Sequence, residues 1–267
     1  MMRFWALGGR AGHEVQPGRF TSWWRLRFSI KLTDRHRGQD YPNMSNTKCP
    51  QTDSRETSVS AAAPAYPIGM ISAVVLAGGR ARRMGGQDKG LVALNNRPMV
   101  EHIIQRIAPQ VETVLISANR NLETYARLGD HRVVPDGVGE FAGPLAGMAS
   151  ALQVIDTPYL LTVPCDSPLI SDDLAYRLYN ALHDNDAEIG VACDGERIQP
   201  VFNLLRRDLL SSLLEFLASG ERKIDRWYAI HRTSSADFSD RSDMFLNINT
   251  PEERSELERR LTGEGAC

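Results

Sequence analysis

From residue 71 to residue 77 the chain reads Ile-Ser-Ala-Val-Val-Leu-Ala, a nearly continuous apolar run that stops at the pair Gly78-Gly79. A short run of this kind, rich in β-branched residues and bounded by glycines, suits a strand buried on both faces. Burial on both faces requires helices on either side, so the chain is directed toward a layered α/β arrangement with a mainly parallel sheet.

The rest of the chain keeps to that pattern. Residues 113–118, 131–134, 159–163, 188–192 and 200–205 read as further strands, and 98–107, 145–155, 171–183 and 208–218 as helices. Val100, Ile103, Ile104 and Ile107 fall on one face of the first helix. Ser171 is expected to cap the third, and Gly220 to close the fourth. Near the end, Thr250, Pro251 and Glu253 form a capping box with proline at the first helical position. No internal repeat is visible, and residues 70 to about 261 read as one domain.

Bulk properties narrow the function classes. The 267 residues are 42% apolar, enough for a core without disulfides or a structural metal. A net charge of −2 gives no general attraction to nucleic acid or membrane. The four cysteines, Cys49, Cys165, Cys193 and Cys267, are scattered without a C-x-x-C pair, which argues against a disulfide framework or a zinc site and suits the cytoplasm. Residues 1–69 differ from the remainder: they carry a charge of about +5 and lack sustained apolar periodicity. They are expected to be an unstructured extension, or the product of an upstream start codon, with 70–267 as the folded domain.

Chemistry concentrates where the first strand ends. Ligands of open α/β sheets bind beyond the carboxyl ends of the strands, and Leu76-Ala77-Gly78-Gly79 lies there. Adjacent glycines let backbone N–H groups approach a phosphate or a base, and Arg80, Arg82, Arg83 and Lys89 add positive charge. The segment is neither a Walker A loop nor G-x-G-x-x-G, which counts against a P-loop NTPase and a dinucleotide oxidoreductase. Asp166, in Pro164-Cys165-Asp166 after residues 159–163, is placed to hold Mg²⁺ with help from substrate phosphates, although capping of the next turn explains it equally well. Asp136 sits at the equivalent edge, and Gly143-Pro144-Leu145-Ala146-Gly147 opens a helix. Cys165 has no nearby histidine in sequence and reads as a buried thiol.

These residues, taken together, resemble a known family. The pattern Leu-Ala-Gly-Gly-x-x-x-Arg-Met-Gly-Gly-x-Asp-Lys, with Ala118-Asn119-Arg120, Gly-Pro-Leu-Ala-Gly, Pro-Cys-Asp and Asn247-Ile248-Asn249-Thr250-Pro251-Glu252, resembles the molybdenum cofactor guanylyltransferases from residue 70 to 261. The resemblance implies a Rossmann-like nucleotidyltransferase fold and transfer of GMP from GTP to Mo-molybdopterin, with pyrophosphate released. It implies GTP contacts from Leu76, Ala77, Gly78, Gly79, Lys89, Asp136 and Asp166, with Mg²⁺ on Asp166 and Arg83 on the phosphates. Asn247 and Asn249 would lie near the pterin. Relatives that use CTP tend to read Leu-Ala-Ala-Gly, so Gly78 leans toward guanine. Where the family carries asparagine two positions before Asn119, this chain has Ser117, which offers a hydroxyl for the base or ribose instead of an amide. Molybdopterin-delivering proteins and receiving molybdoenzymes are implied partners; nucleic acid and membrane are not. The alternatives are a molybdopterin cytidylyltransferase, a sugar-phosphate nucleotidyltransferase, and a non-catalytic GTP-binding cofactor-delivery protein.

Overall fold

A computed structural model of the protein describes Cys49 and residues 66–78, 88–137 and 143–262. All of them fall within one compact unit, Asp40–Cys267. Gly79 and Arg83, both singled out from the sequence, lie outside the described residues.

The first apolar run is strand β1 (Ile71–Leu76), and its alternating side chains serve two separate cores. Ile71, Ala73 and Val75 pack with Val100, Ile103 and Ile107 of helix α1 (Met99–Ile107). Val74 points the other way, into Leu145, Met148 and Leu152 of helix α3 (Pro144–Leu152). A strand with both faces sealed this way has to be apolar throughout. Ser72, which is fully buried, is tolerated because Thr157 Oγ1 donates to its hydroxyl at 2.7 Å.

The remaining elements follow in chain order. The two-residue strands β2 (Ala93–Leu94) and β3 (Arg97–Pro98) precede α1 and form a hairpin through Asn95 and Asn96, both at positive φ. Strand β4 (Thr113–Ser117), the short helix α2 (Leu122–Ala126) and strand β5 (Arg132–Val134) come next. After α3 the chain forms β6 (Tyr159–Pro164), α4 (Leu174–Asp184), β7 (Ile189–Cys193) and β8 (Ile198–Arg206). It then forms α5 (Leu210–Ala218), α6 (Ile224–Tyr228), β9 (Thr233–Asp237) and α7 (Pro251–Thr262).

The seven-stranded sheet has the order β5-β4-β1-β6-β8-β7-β9, and among the described strands only β8 runs against the rest. Helices α1 and α4 cover one face, while α3 and α5 cover the other. The mainly parallel, doubly covered sheet expected from the sequence is therefore the fold observed.

Several local expectations need correction. Ser171 does not cap α4, which begins at Leu174; the hydroxyl of Ser171 bonds to Asp173, and the free N–H of Ala175 is taken by Gln110 Oε1 at 3.0 Å. Gln110 is 3% exposed and reaches this helix across 65 residues, a partner that no local cap signal could disclose. Strand β8 extends past Pro200 on both sides because the register against β7 shifts between Val191 and Ala192, and proline is tolerated at such a bulge. Cys49 and Cys193 are brought close together, with Cα atoms 6.0 Å apart. Their 144-residue separation leaves nothing local to read.

Candidate functional site

The carboxyl ends of β4, β1 and β6 stand side by side. Leu76 is paired with Ser117 on one flank and with Pro164 on the other. Gly78 and Asp166 therefore each follow the same rung by two residues, on strands about 4.8 Å apart. Backbone bonds continue the strands past their last rung: Ala77 N–H donates to Ser117 O at 2.7 Å, and Cys165 N–H to Leu76 O at 3.2 Å. The glycine-bearing turn is thus held between the two carboxylate-bearing loops.

On the β6 flank, Lys89 Nζ donates to Asp166 Oδ2 at 2.8 Å and to Asn249 Oδ1 at 2.6 Å. Residues 77 and 160 positions apart meet here, and a small third core explains how. Val92, Leu94 and Met99, next to the Lys89 turn, pack against Ile248 and Leu257 of the C-terminal segment. Ile248 N–H donates to Asp166 O at 2.8 Å, and the buried Ser167 hydroxyl donates to Asn247 Oδ1 at 2.6 Å. The capping box of α7 completes the anchor: Thr250 Oγ1 accepts from Glu253 N–H, and Glu253 Oε2 accepts from Thr250 N–H and Asn249 N–H. Asn249, which the resemblance places near the pterin, accepts from Lys89, and Asn247 accepts from Ser167.

On the β4 flank, Asp136 is held by neutral donors. Asn119 Nδ2 donates to its Oδ2 at 2.6 Å and Ser117 Oγ to its Oδ1 at 3.0 Å. Gly78 sits beside them: a Cβ at this position would come within 3.2 Å of Asn119 Nδ2 and 3.5 Å of Asp136 Oδ2. Ser117 is 1% exposed, and its hydroxyl is donated to Asp136. Between these two flanks the described structure brings together Leu76, Ala77, Gly78, Lys89, Ser117, Asp136, Asp166, Asn247 and Asn249.

Two further residues escaped the sequence. Tyr125, fully buried, donates its hydroxyl to Asp88 Oδ1 at 2.5 Å, and Asn121 Nδ2 donates to Oδ2 at 3.1 Å. Together they fix the residue that immediately precedes Lys89. Burial, with the Asp88 hydrogen bond adding to it, pushes the Tyr125 phenol far above its ordinary range, so it remains a donor. Asp88 belonged to the glycine-rich pattern, but nothing in the sequence linked it to position 125. Burial likewise raises the Cys165 thiol, with Asp166 and Asp88 adding to the effect, which favours the protonated form of this buried side chain.

A single carboxylate with hard oxygen donors fits a divalent cation that completes its shell with phosphate and water. Among the described residues no cluster of three or more His, Cys, Asp or Glu is arranged to hold a metal without such help.

Comparison with known proteins converges on the same chemistry. Residues 73–235 match the MobA-like NTP transferase domain family. The chain is 51% identical over 194 residues to a molybdenum cofactor guanylyltransferase of Shewanella halifaxensis, covering 73% of this chain and 96% of that protein. It is 54% identical over 187 residues to the protein of the same name from Shewanella sp. strain MR-4, covering 70% and 94%. Among solved structures, molybdopterin-guanine dinucleotide biosynthesis protein A from Archaeoglobus fulgidus shares the fold, with a TM-score of 0.61 at 20% identity over 73% of this chain and 100% of that one. Nucleotidyltransferases of this kind typically use a divalent metal. The chain belongs to the molybdenum cofactor guanylyltransferase family.

Proposed function

We propose that this chain transfers GMP from GTP to the terminal phosphate of Mo-molybdopterin, releasing pyrophosphate, and that Asp166 holds Mg²⁺ for the reaction. What supports this reading is the contrast between the two flanks of Gly78. On one side Asp166 is bonded to a cation, Lys89; on the other Asp136 is bonded only to the neutral donors Asn119 and Ser117 among the described residues. A triphosphate is drawn to the lysine side. The nucleoside is then left to Asp136, whose carboxylate can accept from the N1–H and 2-amino donors of guanine. Cytosine offers only one amino group in the corresponding place, which disfavours the cytidylyltransferase reading.

The acceptor phosphate attacks the α-phosphorus of GTP in line; the new P–O bond forms as the bond to the β-phosphate breaks, and pyrophosphate leaves with its electron pair. The acceptor is already ionised near neutral pH, so no general base is required. A bound divalent cation supplies charge neutralisation and orientation of phosphate oxygens. Lys89, released from Asp166 as the nucleotide enters, is positioned to neutralise charge on the leaving pyrophosphate, and Arg83 is assigned the same task from its place in the glycine-rich pattern. Asn249 keeps the Lys89 ammonium directed at the crevice, and the loop that bears Gly78 allows backbone to lie against the ligand.

Residues 70–267 carry this activity, and Tyr66, just before them, packs on the same domain with its hydroxyl donated to Gln110 O at 2.6 Å. The reaction belongs in the cytoplasm, where nucleoside triphosphates are supplied; among the described residues no helix is long and apolar enough to cross a membrane. Molybdopterin-delivering proteins and receiving molybdoenzymes would meet the chain there.

Mass spectrometry of the product formed from GTP, Mg²⁺ and Mo-molybdopterin tests the reading. A GMP adduct is expected with GTP and none with CTP. Lys89→Ala and Asp166→Ala should each lower turnover by about 10²–10³-fold while circular dichroism shows an intact fold. Pyrophosphate release that demands CTP or a sugar phosphate would replace the assignment, and tight GTP binding without turnover under any acceptor would favour a delivery protein.

A further inference from the structure

Asn119 is part of the Ala118-Asn119-Arg120 motif and has no role in the reaction as described so far. Its side-chain amide uses both ends on one residue: Nδ2 donates to Asp136 Oδ2 at 2.6 Å, and Oδ1 accepts from the Asp136 backbone N–H at 2.9 Å. Ser117 Oγ takes the other carboxylate oxygen at 3.0 Å. The residue after Asp136 is also held, because Gly137 N–H donates to the buried hydroxyl of Ser150 at 2.8 Å. A carboxylate is otherwise free to turn about a broad, two-fold torsion. Here both oxygens and the main chain are tied, and each oxygen keeps acceptor capacity for a ligand.

The choice of donors is itself informative. An arginine or lysine at position 119 would neutralise Asp136 and make this flank attractive to phosphate. An aspartate there would set a second carboxylate against the first. Asparagine orients Asp136 and leaves its charge intact, as a reader of N–H donors requires. Gly78 adds a geometric constraint, since any side chain there would press on the same amide.

We propose that Asn119, assisted by Ser117, is a positioning residue for nucleotide selection, holding the Asp136 carboxylate in the orientation that meets the donor edge of guanine. The inference rests on the GTP reading above and deepens it.

The test uses the full chain with GTP, inosine triphosphate (which lacks the 2-amino group) and Mo-molybdopterin. Asn119→Ala should raise the GTP KM about tenfold with kcat nearly unchanged, the signature of lost binding common to ground and transition states. The KM for Mo-molybdopterin should stay within about twofold, and the preference for GTP over inosine triphosphate should collapse. In an Asp136→Ala background the same substitution should have no further effect on the GTP KM, because the two residues act as one unit. An unchanged GTP KM overturns the proposal. So does a loss spread evenly over kcat and both KM values, or one that adds fully to Asp136→Ala, since each describes a loop staple only. Should Asn119→Ala fail to fold, Ser117→Ala removes one of the bonds to Asp136 and is read by the same criteria. If the wild-type chain neither binds GTP nor transfers GMP, the reading of the function fails instead, whatever the variants do.

Discussion

Gly147 shows how much can depend on one missing methyl group. It lies on α3 where that helix crosses β1 and β4, and a Cβ there would come within 2.7 Å of both Leu76 Cδ2 and Ser117 Oγ. The leucine tip can move aside. Ser117 cannot move without giving up its bond to Asp136. Gly147→Ala should therefore destabilise the protein by about 1–3 kcal/mol in denaturant titrations, the usual range for overpacking, and should raise the GTP KM as well. A variant with lowered stability and an unaltered KM would show that Ser117 is not coupled to the nucleotide. The glycine was visible in the sequence as part of Gly-Pro-Leu-Ala-Gly, but its reason for being glycine is an interhelix-to-strand distance that only packing discloses.

Helix α7 links secondary structure to chemistry. Its capping box is local, spans four residues and was fully legible beforehand. What it does for the site was not, because Glu253 also holds the backbone of Asn249, whose side chain meets Lys89. Loss of a cap costs about 1 kcal/mol. Glu253→Ala should thus lower Tm by about 2–4 °C for a domain of this size, and should reduce turnover through Asn249 even under conditions where the fold is complete. A second element, the turn after α6, carries a pH dependence. Desolvation lowers the His231 pKa from its ordinary 6.5, opposed in part by Glu188 3.6 Å away. The neutral ring is the form the fold prefers. Its contribution is therefore complete above about pH 6.5 and declines as pH falls toward the lower folded-state value, because the unfolded chain takes up the proton first. Between about pH 8 and about pH 5.5, His231→Gln should show a shallower fall in Tm than the wild-type chain.

At the scale of the whole molecule, the site exists because three distant stretches converge on the ends of β1 and β6. Lys89 Nζ lies 2.8 Å from Asp166 Oδ2, so the protein itself supplies a partner that holds this carboxylate in place. Removing divalent metal with a chelator should abolish transfer while leaving Tm within about 2 °C, and added Mg²⁺ should restore activity. Loss of the folded state on chelation would contradict the assignment of Asp166 as a purely catalytic ligand and imply a structural metal.

The sequence by itself determined what depends on local period and local stereochemistry. The apolar run of β1, the one-sided face of α1, the α7 cap and the glycine-rich pattern all interact within a few residues, so their signals are written contiguously. It also named Lys89, Asp136 and Asp166 as a set, through motifs whose order along the chain survives in a known family. Only tertiary structure decided which residues hold these in place. Gln110 capping α4, Tyr125 bonding Asp88, Asn119 clasping Asp136 and Asn249 reaching Lys89 are hydrogen bonds across 17 to 160 residues. Strand β9, Thr-Ser-Ser-Ala-Asp, likewise has little apolar signal and exists because β7 offers it a free edge. Such bonds have no period. They arise when packing of the two main cores fixes where polar groups end up, and buried polar groups must then find whichever partner is near.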